Sequence, residues 1–349
     1  MKICHLIFSF NTGGAETMLI DIVNEQVKTE QVYLGIINDS VEQSILSQVD
    51  SRVHIYRLNR TPGSRNPIPL IKLNIWLLSQ RFDVIHTHNL GILPLIFARA
   101  SRVRFATVHD LHVPLEHARR VDCLFAISEA VRDDILERLP SANVKVILNG
   151  IKADSILQRT SLLYNGERTF RIIQVARLDA DKKGQDILIK AISILKKEGV
   201  KNIQVDFIGE GASRAVLENL VAEKCVEENV HFLDLRDRAY IYSHLKDYDL
   251  MCHPARYEGF GLVVAEAMVA RLPVLVSDDG GPYELIQNEK YGTSFSMESA
   301  EDCAEKIKTI MQNYSSAIEK VEHAYQYAIQ NFSINHMVKE LLASYAKFI

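Results

Sequence analysis

The feature that most constrains how this chain can fold is a regular alternation of short apolar runs with amphipathic segments. In the first half, apolar runs of strand length lie at 2–8, 31–37, 83–88, 105–110, 123–128 and 144–150. Segments with helical periodicity lie between them, at 15–29, 68–81 and 129–138. Because the runs are apolar throughout, they indicate strands buried on both faces, which is typical of a parallel sheet covered by helices.

The same alternation occurs a second time after a break. Residues 152–169 lack clear periodicity and contain a turn signal at Asn165-Gly166. Further strands are expected at 170–176, 203–208, 230–233, 248–252 and 273–276. Helical patterns lie at 184–198, 212–224, 238–246 and 262–270, and more helices fill 300–349. Two consecutive arrays predict two doubly wound α/β domains, and 349 residues are enough for two packed cores.

The predicted domains are 1–160 together with 330–349, and 165–329. The C-terminal helix is assigned to the first domain because its apolar residues recur at helical spacing, as a face that docks on a core requires. These residues are Met337, Val338, Leu341, Leu342 and Tyr345. We expect the hinge near 150–170 and a second crossing near 325–335.

Charge and cysteine usage exclude several classes of protein. A net charge of −4 gives no reason to expect a nucleic-acid partner. The five scattered cysteines form no Cys-x-x-Cys pair, which argues against a zinc site or a disulfide framework and fits a reducing cytoplasm. No apolar stretch approaches the roughly 18 residues that a membrane-spanning helix needs.

The segment 51–104 nevertheless carries a local excess of positive charge. It contains nine lysines and arginines but one acidic residue, Asp83. The basic residues are Arg52, Arg57, Arg60, Arg65, Lys72, Arg81, Arg99, Arg102 and Arg104. Two interpretations remain open: contact with an anionic membrane surface or a pyrophosphate-bearing acceptor, and ordinary surface charge balanced by acids elsewhere in the fold.

The first candidate site residues are Gly13 and Gly14, which follow the first predicted strand and open a helix. Two glycines let backbone N–H groups approach a ligand closely, and the N-terminus of a helix favours an anion such as phosphate. The pattern is not the G-x-G-x-x-G dinucleotide fingerprint. A bare strand-to-helix turn remains the alternative.

A second pair of candidates is Arg177 and Lys183, in the loop after the strand predicted at 170–176. In open α/β sheets ligands bind beyond the carboxyl ends of the strands. Two cations at that place are suited to a diphosphate, the arginine as a fork and the lysine as a point charge. The alternative is that they pair with Asp179 and Asp181 in the same loop.

The segment 253–286 is the most informative part of the chain. Glu258 precedes Gly259-Phe260-Gly261 at the start of a predicted helix, where a carboxylate is suited to sugar hydroxyls and the amides of Phe260 to Val263 to phosphate. Glu266 follows within the almost wholly apolar run LVVAEAMVA. Because burial of an unpartnered carboxylate is costly, Glu266 needs either ligand hydroxyls or a structural partner such as a backbone N–H or a histidine.

With these residues in place, 253–285 resembles the donor-site signature of the family 4 retaining glycosyltransferases, which have the GT-B fold. That signature is Glu, seven residues, Glu, then a strand and Gly-Gly-x-x-Glu, the last element being Gly280 to Glu284 here. Upstream motifs agree in order and spacing: GGAE (13–16), DVIHTHN (83–89), TVHD (107–110), DCLFAISEAVRDDI (122–135), VILNGI (146–151), VARLDADKKG (175–184) and FIGEG (207–211). The resemblance covers nearly the whole chain.

The resemblance implies two Rossmann-like doubly wound domains facing a central cleft, which close around the donor and acceptor. It places the amides of Gly13 and Gly14 near the donor diphosphate, and Arg177 and Lys183 where they neutralise it as it leaves. His109 of the TVHD motif corresponds to the active-site histidine, close to the transferred sugar and the acceptor. For a lone histidine at a strand end, a structural role is the alternative.

The resemblance also implies the roles of the glycine-loop residues. Glu258 binds the transferred sugar, and Glu266 binds the donor ribose. The backbone amides around the loop lie alongside the donor, and they belong to Gly259, Phe260, Gly261, Leu262 and Val263.

The activity that the resemblance implies is that of a retaining hexosyltransferase. The donor is a nucleotide-diphosphate sugar, with UDP-sugar favoured over GDP-sugar, and the acceptor is a glycan or a polyprenyl-diphosphate-linked glycan of a bacterial surface polysaccharide. Many enzymes of this fold need no divalent metal, so no metal or other cofactor is expected. Because no carboxylate is well placed as a nucleophile, a same-face mechanism is favoured. The expected location is the cytoplasm, at the inner face of the membrane.

Two other classes of function stay open. A nucleotide-sugar epimerase can share the two-domain architecture and the donor pocket, but it needs a base at the substrate carbon and no acceptor groove. A non-catalytic binding homologue is the other alternative. The presence of Arg177, Lys183, Glu258 and Glu266 together favours a transferase over both.

Overall fold

The computed structural model describes residues 1–11, 13–97, 100–160 and 163–349. Thr12, beside the Gly13-Gly14 pair, and Arg99 of the basic segment therefore lie outside the described residues. The chain separates into two compact units. Unit 1 comprises Met1–Ile151 and Ser333–Ile349, and unit 2 comprises Lys152–Phe332.

Unit 1 is built on a parallel sheet that has seven strands in the described part of the chain. They are β1 Lys2–Ile7, β2 Gln31–Asn38, β3 His54–Arg60, β4 Phe82–Thr87, β5 Ser101–Val108, β6 Cys123–Ala126 and β7 Val144–Val146. Their order in the sheet is β3-β2-β1-β4-β5-β6-β7. The order reverses beside β1, because β2 pairs on one side of it and β4 on the other. Ligands of open α/β sheets bind beyond the carboxyl ends of the strands at such a reversal.

Helices connect these strands and cover the sheet. They are α1 Gly14–Gln26, α2 Gln43–Leu46, α3 Ile68–Gln80 and α4 Glu129–Arg138, with 3-10 turns at Leu90–Leu95 and Ala118–Arg120. The central strands are buried on both faces, as the apolar runs predict: Ile3, Leu6, Val84 and Ile85 are all shielded from solvent. Burial of each such side chain contributes about 1.5–3 kcal/mol.

Unit 2 repeats this architecture with six parallel strands among its described residues. They are β8 Phe170–Val175, β9 Ile203–Ile208, β10 Val230–Phe232, β11 Leu250–His253, β12 Val274–Ser277 and β13 Thr293–Phe295. Their order is β10-β9-β8-β11-β12-β13. The reversal lies between β8 and β11, which pair directly with each other.

The helices of unit 2 shield both faces of its sheet. They are α5 Ala180–Lys183, α6 Gln185–Lys197, α7 Arg214–Glu223, α8 Arg238–His244, α9 Leu262–Val269, α10 Gly280–Leu285, α11 Ala300–Gln312 and α12 Tyr314–Asn331, with 3-10 turns at Ala153–Ser155 and Leu245–Asp247. In the core, Ile192 and Leu195 of α6 lie in one cluster with Ile307 of α11. None of the helices in the described chain has the length and apolar character needed to cross a bilayer.

The last helix, α13 Ile334–Phe348, belongs to unit 1. Its start is fixed by Ser333, whose Oγ accepts a hydrogen bond from the His336 amide. Met337, Val338, Leu341 and Tyr345 are buried in one cluster with strand residues such as Phe105 and Phe125, and Leu342 packs against that cluster. The docking face predicted from helical spacing is therefore confirmed.

Candidate active site

The candidate residues of unit 2 lie at the point where its strand order reverses. Arg177 follows the end of β8, and Glu258 follows the end of β11. The loop after β8 is held in place by two side-chain amides. Gln174 Nε2 donates to the Lys183 carbonyl at 2.8 Å, and Gln185 Nε2 donates to the Arg177 carbonyl at 2.9 Å. Both glutamines are buried, so the backbone that carries the two cations is firmly positioned.

Lys183 and Glu258 form an ion pair at the centre of this site. The Lys183 Nζ atom lies 2.5 Å from Glu258 Oε2, and both side chains are largely buried. His253, at the end of β11, places its Nε2 atom 3.3 Å from the same oxygen. Burial opposes ionisation of Glu258, but the hydrogen bond of His253 and the charge of Lys183 outweigh it and hold the pKa of Glu258 well below its ordinary value. Glu258 is therefore a carboxylate at neutral pH and a poor proton donor.

Two segments of the donor-site signature pack directly against each other. The Gly281 amide donates to the Glu258 carbonyl at 2.9 Å. A Cβ atom on Gly281 would lie 2.4 Å from the Gly259 carbonyl oxygen and 2.5 Å from the Phe260 Cα. Only a glycine permits so close a backbone approach, which explains why the Gly-Gly element accompanies the glycine loop.

The glycine loop ends at the N-terminus of α9. Gly261 has a φ of +89°, in the region that favours glycine, and no side chain caps the helix. Its carbonyl accepts hydrogen bonds from the Val264 and Ala265 amides. The amides of Leu262 and Val263 stand in the first turn, where a helix has no intrahelical partner to offer them. Phe260 is buried, with its ring edge-on to Phe332, so it anchors the loop in the core.

Glu266 has a structural partner, which was one of the two interpretations open from the sequence. The Tyr242 hydroxyl donates to Glu266 Oε1 at 3.1 Å. Tyr242 is buried, whereas Glu266 itself is half-buried on α9. The hydrogen bond offsets part of the cost of placing a carboxylate on an apolar helix.

Arg177 behaves differently from Lys183. Its side chain is exposed, and within the described chain its guanidinium makes no hydrogen bond or ion pair. The alternative pairing of these cations with Asp179 and Asp181 is not found among the described residues, because Lys183 pairs with Glu258 instead. Arg177 is thus a cation available to a ligand at the carboxyl end of β8.

In unit 1, Gly13 and Gly14 lie at the start of α1, as predicted. Gly13 is the N-cap residue, has extended backbone and is not assisted by a side-chain cap. A Cβ on Gly13 would lie 2.4 Å from Glu16 Oε2, so the glycine leaves room for that carboxylate. Glu16 is itself an anion in the first turn of α1, and it competes with a phosphate for the favourable end of the helix dipole.

His109 lies beyond β5 and joins a cluster of histidines that the sequence interpretation did not assemble. Its Nε2 atom is 3.3 Å from His88 Nδ1, and the two rings stack with centroids 5.5 Å apart. Burial lowers the pKa of His109 to about 4, although the charge of Asp110 acts in the opposite direction. The imidazole is therefore neutral at pH 7. Two sequence features could have predicted this cluster: His5, which interrupts an apolar strand run, and the two histidines of DVIHTHN.

Three of these histidines approach one another closely enough to suggest a metal site. One ring nitrogen from each of His5, His86 and His88 lies within 4.8 Å of the others. All of their ring nitrogens, however, already contact a protein group: Gln26, His88, Tyr345, Thr107, His5 and His109 serve as partners. A metal ion would have to replace several of these contacts.

Comparisons with known proteins identify the family of this chain. The model described as "Glycosyltransferase Family 4" matches residues 12–155, and the model "Glycosyl transferases group 1" matches residues 162–331. The chain belongs to this family of group 1, family 4-type glycosyltransferases. Its two sheets with flanking helices constitute the two-domain α/β architecture of the GT-B fold.

Individual relatives are similar over parts of the chain or all of it. The poly(ribitol-phosphate) alpha-N-acetylglucosaminyltransferase of Staphylococcus aureus is 25% identical over 65% of this chain and 44% of its own length. The O-antigen biosynthesis glycosyltransferase WclY of Escherichia coli is 24% identical over 80% of each chain. The crystal structure of Anabaena HepE with UDP and glucose superposes with a TM-score of 0.83 at 22% identity, over 99% of both chains. The chain spans less than half the length of the first of these relatives, and its homologues include enzymes of bacterial polysaccharide biosynthesis.

Proposed function

We propose that this protein transfers a hexose from a UDP-sugar to a glycan or a polyprenyl-diphosphate-linked glycan during synthesis of a bacterial surface polysaccharide. The observation that carries the proposal is the arrangement at the reversal between β8 and β11. There, the exposed cation of Arg177 lies in the segment after β8 that also carries Lys183, and Lys183 pairs with Glu258 from the segment after β11. The family membership supports it, and the structurally similar HepE was crystallised with UDP and glucose.

The proposed chemistry follows from these charges. As the glycosidic bond to the diphosphate breaks, negative charge develops on the leaving group and positive charge on the sugar. Arg177 and Lys183 stabilise the former, and this kind of fixed electrostatic stabilisation is commonly the largest catalytic contribution. Glu258, ionised and held by His253, accepts hydrogen bonds from the sugar hydroxyls and stabilises the cationic sugar. An acceptor hydroxyl then attacks the anomeric carbon from the face that the diphosphate leaves, and its proton passes to the departing phosphate oxygen. The new glycosidic bond therefore retains the anomeric configuration, which NMR of a product made from 13C-labelled donor would reveal.

The donor site can be tested without knowing the acceptor. We expect UDP to raise the melting temperature more than GDP or ADP, because a ligand that binds only the native state stabilises it. Arg177→Ala should weaken UDP binding and leave UMP binding nearly unchanged, since the arginine is proposed to contact the second phosphate. Lys182→Ala is the matched control, a neighbouring cation on α5. Equal losses for UDP and UMP, or for both variants, would contradict the proposed role of Arg177.

We further propose that the reaction needs no divalent metal, since Arg177 and Lys183 supply the positive charge. This proposal has a specific competitor in Asp179 and Asp181, two carboxylates separated by one residue in the same loop. Transfer that persists in excess EDTA supports the metal-free mechanism. Loss of transfer in EDTA, restored by Mg²⁺ or Mn²⁺ and reduced by Asp181→Asn, would overturn it.

Product analysis separates the transferase from the epimerase alternative. Incubation with a radiolabelled UDP-sugar and a lipid-linked acceptor mixture is expected to give a labelled glycan and UDP. An epimerase would instead convert the donor to an isomer in the absence of acceptor and release no UDP. A binding homologue would leave the donor unchanged.

We also propose that unit 1 contacts an anionic membrane surface through α3, which would bring the enzyme to a lipid-linked acceptor at the inner face of the membrane. Ile68, Ile71, Ile75 and Leu78 are 49–62% exposed and recur at intervals of three and four, so they form one apolar stripe. Lys72 on the same helix is exposed as well. An exposed apolar stripe beside basic residues is suited to the boundary between lipid headgroups and acyl chains.

Vesicle sedimentation tests this contact. The protein should bind vesicles that contain phosphatidylglycerol and bind pure phosphatidylcholine weakly, with a loss at high salt. Ile75→Glu combined with Leu78→Glu should abolish binding. Val216→Glu, which replaces a 65% exposed residue of α7, is the control and should not. Equal binding by the double variant and the control would rule out α3 as the contact.

A further inference from the structure

Four polar side chains of unit 1 form a continuous line of hydrogen bonds that ends at His109. The line starts at Gln26, the last residue of α1, whose Oε1 atom lies 2.7 Å from His5 Nε2. His5 Nδ1 lies 3.0 Å from His88 Nε2, and His88 Nδ1 lies 3.3 Å from His109 Nε2. Three neighbouring strands and one helix thus connect the interior of unit 1 to the candidate active-site histidine.

The imidazoles in this line are neutral at physiological pH. Burial lowers the pKa of His5 to about 4 against the opposing effect of its bond to Gln26, and it lowers the pKa of His88 well below its ordinary value. A neutral imidazole has one N–H donor and one acceptor nitrogen. Hydrogen bonds between such rings in series must therefore all run in the same direction.

The direction is set at the buried end. The Gln26 amide faces His5 with its Oε1 atom, and its buried Nε2 atom has no hydrogen-bond partner among the described residues. In this orientation the amide oxygen accepts, so the His5 Nε2 atom carries the hydrogen and His5 Nδ1 accepts. His88 Nε2 then donates to His5, which leaves His88 Nδ1 to accept from His109 Nε2.

We propose that Gln26, His5 and His88 are positioning residues that hold His109 in its Nε2–H form, so that His109 Nδ1 is a hydrogen-bond acceptor for a hydroxyl of a bound sugar. The part that concerns the sugar rests on the proposed function. The tautomer itself does not, because it follows from protein contacts alone. His109 then orients a hydroxyl and does not act as a proton donor.

His86 belongs to the cluster but not to the line. Its ring nitrogens contact the Tyr345 hydroxyl at 2.6 Å and the Thr107 hydroxyl at 2.7 Å. The Thr107 hydroxyl thus provides a matched control, since Thr107→Val removes a buried hydrogen bond to a histidine without interrupting the line.

Nitrogen NMR of the full chain tests the tautomer directly. Two-bond 1H–15N correlation spectra at pH 7, assigned by comparison with His109→Gln, should show His109 protonated at Nε2 in the wild type. Gln26→Met removes the terminal acceptor, so the Nδ1–H form of His109 should appear. Thr107→Val should leave the His109 signals in place. A wild-type His109 protonated at Nδ1, or a tautomer that does not respond to Gln26→Met, would overturn the proposal.

Activity and metal content give two further readouts. Gln26→Met should lower kcat roughly tenfold, the effect of one misdirected hydrogen bond, while KM for the nucleotide sugar stays close to that of Thr107→Val. If the tautomer is as proposed but no sugar transfer occurs with any donor, the proposed function fails and the line of histidines stands. One equivalent of zinc that survives dialysis and is lost in His86→Phe would overturn the line in favour of a metal site.

Discussion

Lys183 and Glu258 illustrate how one buried ion pair serves two purposes. In the described structure each satisfies the charge of the other, which offsets the cost of placing both charges away from water. In the proposed mechanism, a diphosphate is a second anionic partner for Lys183. His253 stays as a partner of Glu258 in either case.

We expect Lys183→Ala to lower kcat by about 10²–10³-fold, because it removes a charge that stabilises the leaving diphosphate. The loss of folding stability should be smaller in free energy than the loss of transition-state stabilisation, since His253 still contacts Glu258. Steady-state kinetics and thermal melting measured on the same variant separate the two effects. Near-normal transfer by Lys183→Ala would remove this lysine from the catalytic mechanism.

Glu266→Gln should weaken nucleotide binding more than it slows the chemical step. Replacement of a charge-assisted hydrogen bond to the ribose should cost about 1.5–3 kcal/mol, or roughly ten- to a hundredfold in Kd. Tyr242→Phe is the control, because it removes the structural hydrogen bond to Glu266 and leaves the carboxylate in place. Unchanged nucleotide affinity in Glu266→Gln would make this residue a structural carboxylate.

At the scale of elements, the glycine loop (Gly259-Phe260-Gly261) packs against the N-terminus of α10 through direct backbone contact. We expect Gly281→Ala to destabilise the protein by about 1–3 kcal/mol, because its Cβ would meet backbone atoms of Gly259 and Phe260 that cannot rotate away. Since relief requires the loop to move, nucleotide binding should weaken as well. Melting temperature and UDP affinity are the two measurements, and a variant with wild-type values for both would show that the two segments are not rigidly packed.

The sequence predicted most central strands, because strands buried on both faces appear as apolar runs. It missed β3, which lies at the sheet edge and alternates exposed residues such as His54 and Arg57 with partly buried ones. It also missed β13, whose three residues include the polar Thr293 and Ser294. Both are too polar to produce the apolar run that indicates a buried strand.

The sequence likewise predicted some parts of the candidate sites and missed others. Motifs that follow strands, such as Arg177 and the glycine loop, were found because the chain order places them at the carboxyl ends of β8 and β11. The line from Gln26 to His109 was not found, because it joins residues far apart in sequence whose contacts depend on the pairing of β1 with β4 and of β4 with β5. No local spacing carries that information.

At the scale of the whole molecule, the buried titratable groups are distributed unevenly between the units. Unit 1 contains the neutral histidines His5, His86 and His88 besides the buried Asp21. Unit 2 contains buried acids with basic partners, such as Asp249 with Arg159, and one buried histidine, His253, beside Glu258. Neutral buried histidines and paired carboxylates respond to acid over different pH ranges. The response of the protein to mild acid should therefore reflect unit 1.

We expect the free energy of unfolding to fall as the pH decreases from 7 to 5. The pKa of His5 is about 4 in the folded protein, and burial places those of His86 and His88 well below the ordinary value near 6.5. Below the ordinary pKa of histidine, the unfolded chain binds protons that the folded chain does not. Each of these histidines should therefore reduce the free energy of unfolding by about 2 kcal/mol at pH 5. Glu258 acts later, because a carboxylate with a lowered pKa loses its contribution only below about 4.5.

Urea unfolding at pH 7, 6 and 5 measures this dependence, and His86→Phe identifies its source. The variant should be less stable at neutral pH because it loses the contacts with Tyr345 and Thr107. The difference in its stability between pH 7 and pH 5 should nevertheless be about 2 kcal/mol smaller than in the wild type, since one titrating group is gone. This comparison cancels the packing cost of the substitution, which is the same at both pH values. Two outcomes would contradict this prediction: a wild-type stability that does not change between pH 7 and pH 5, or the same pH dependence in His86→Phe as in the wild type. Either would mean that these histidines bind protons in the folded protein as readily as in the unfolded chain.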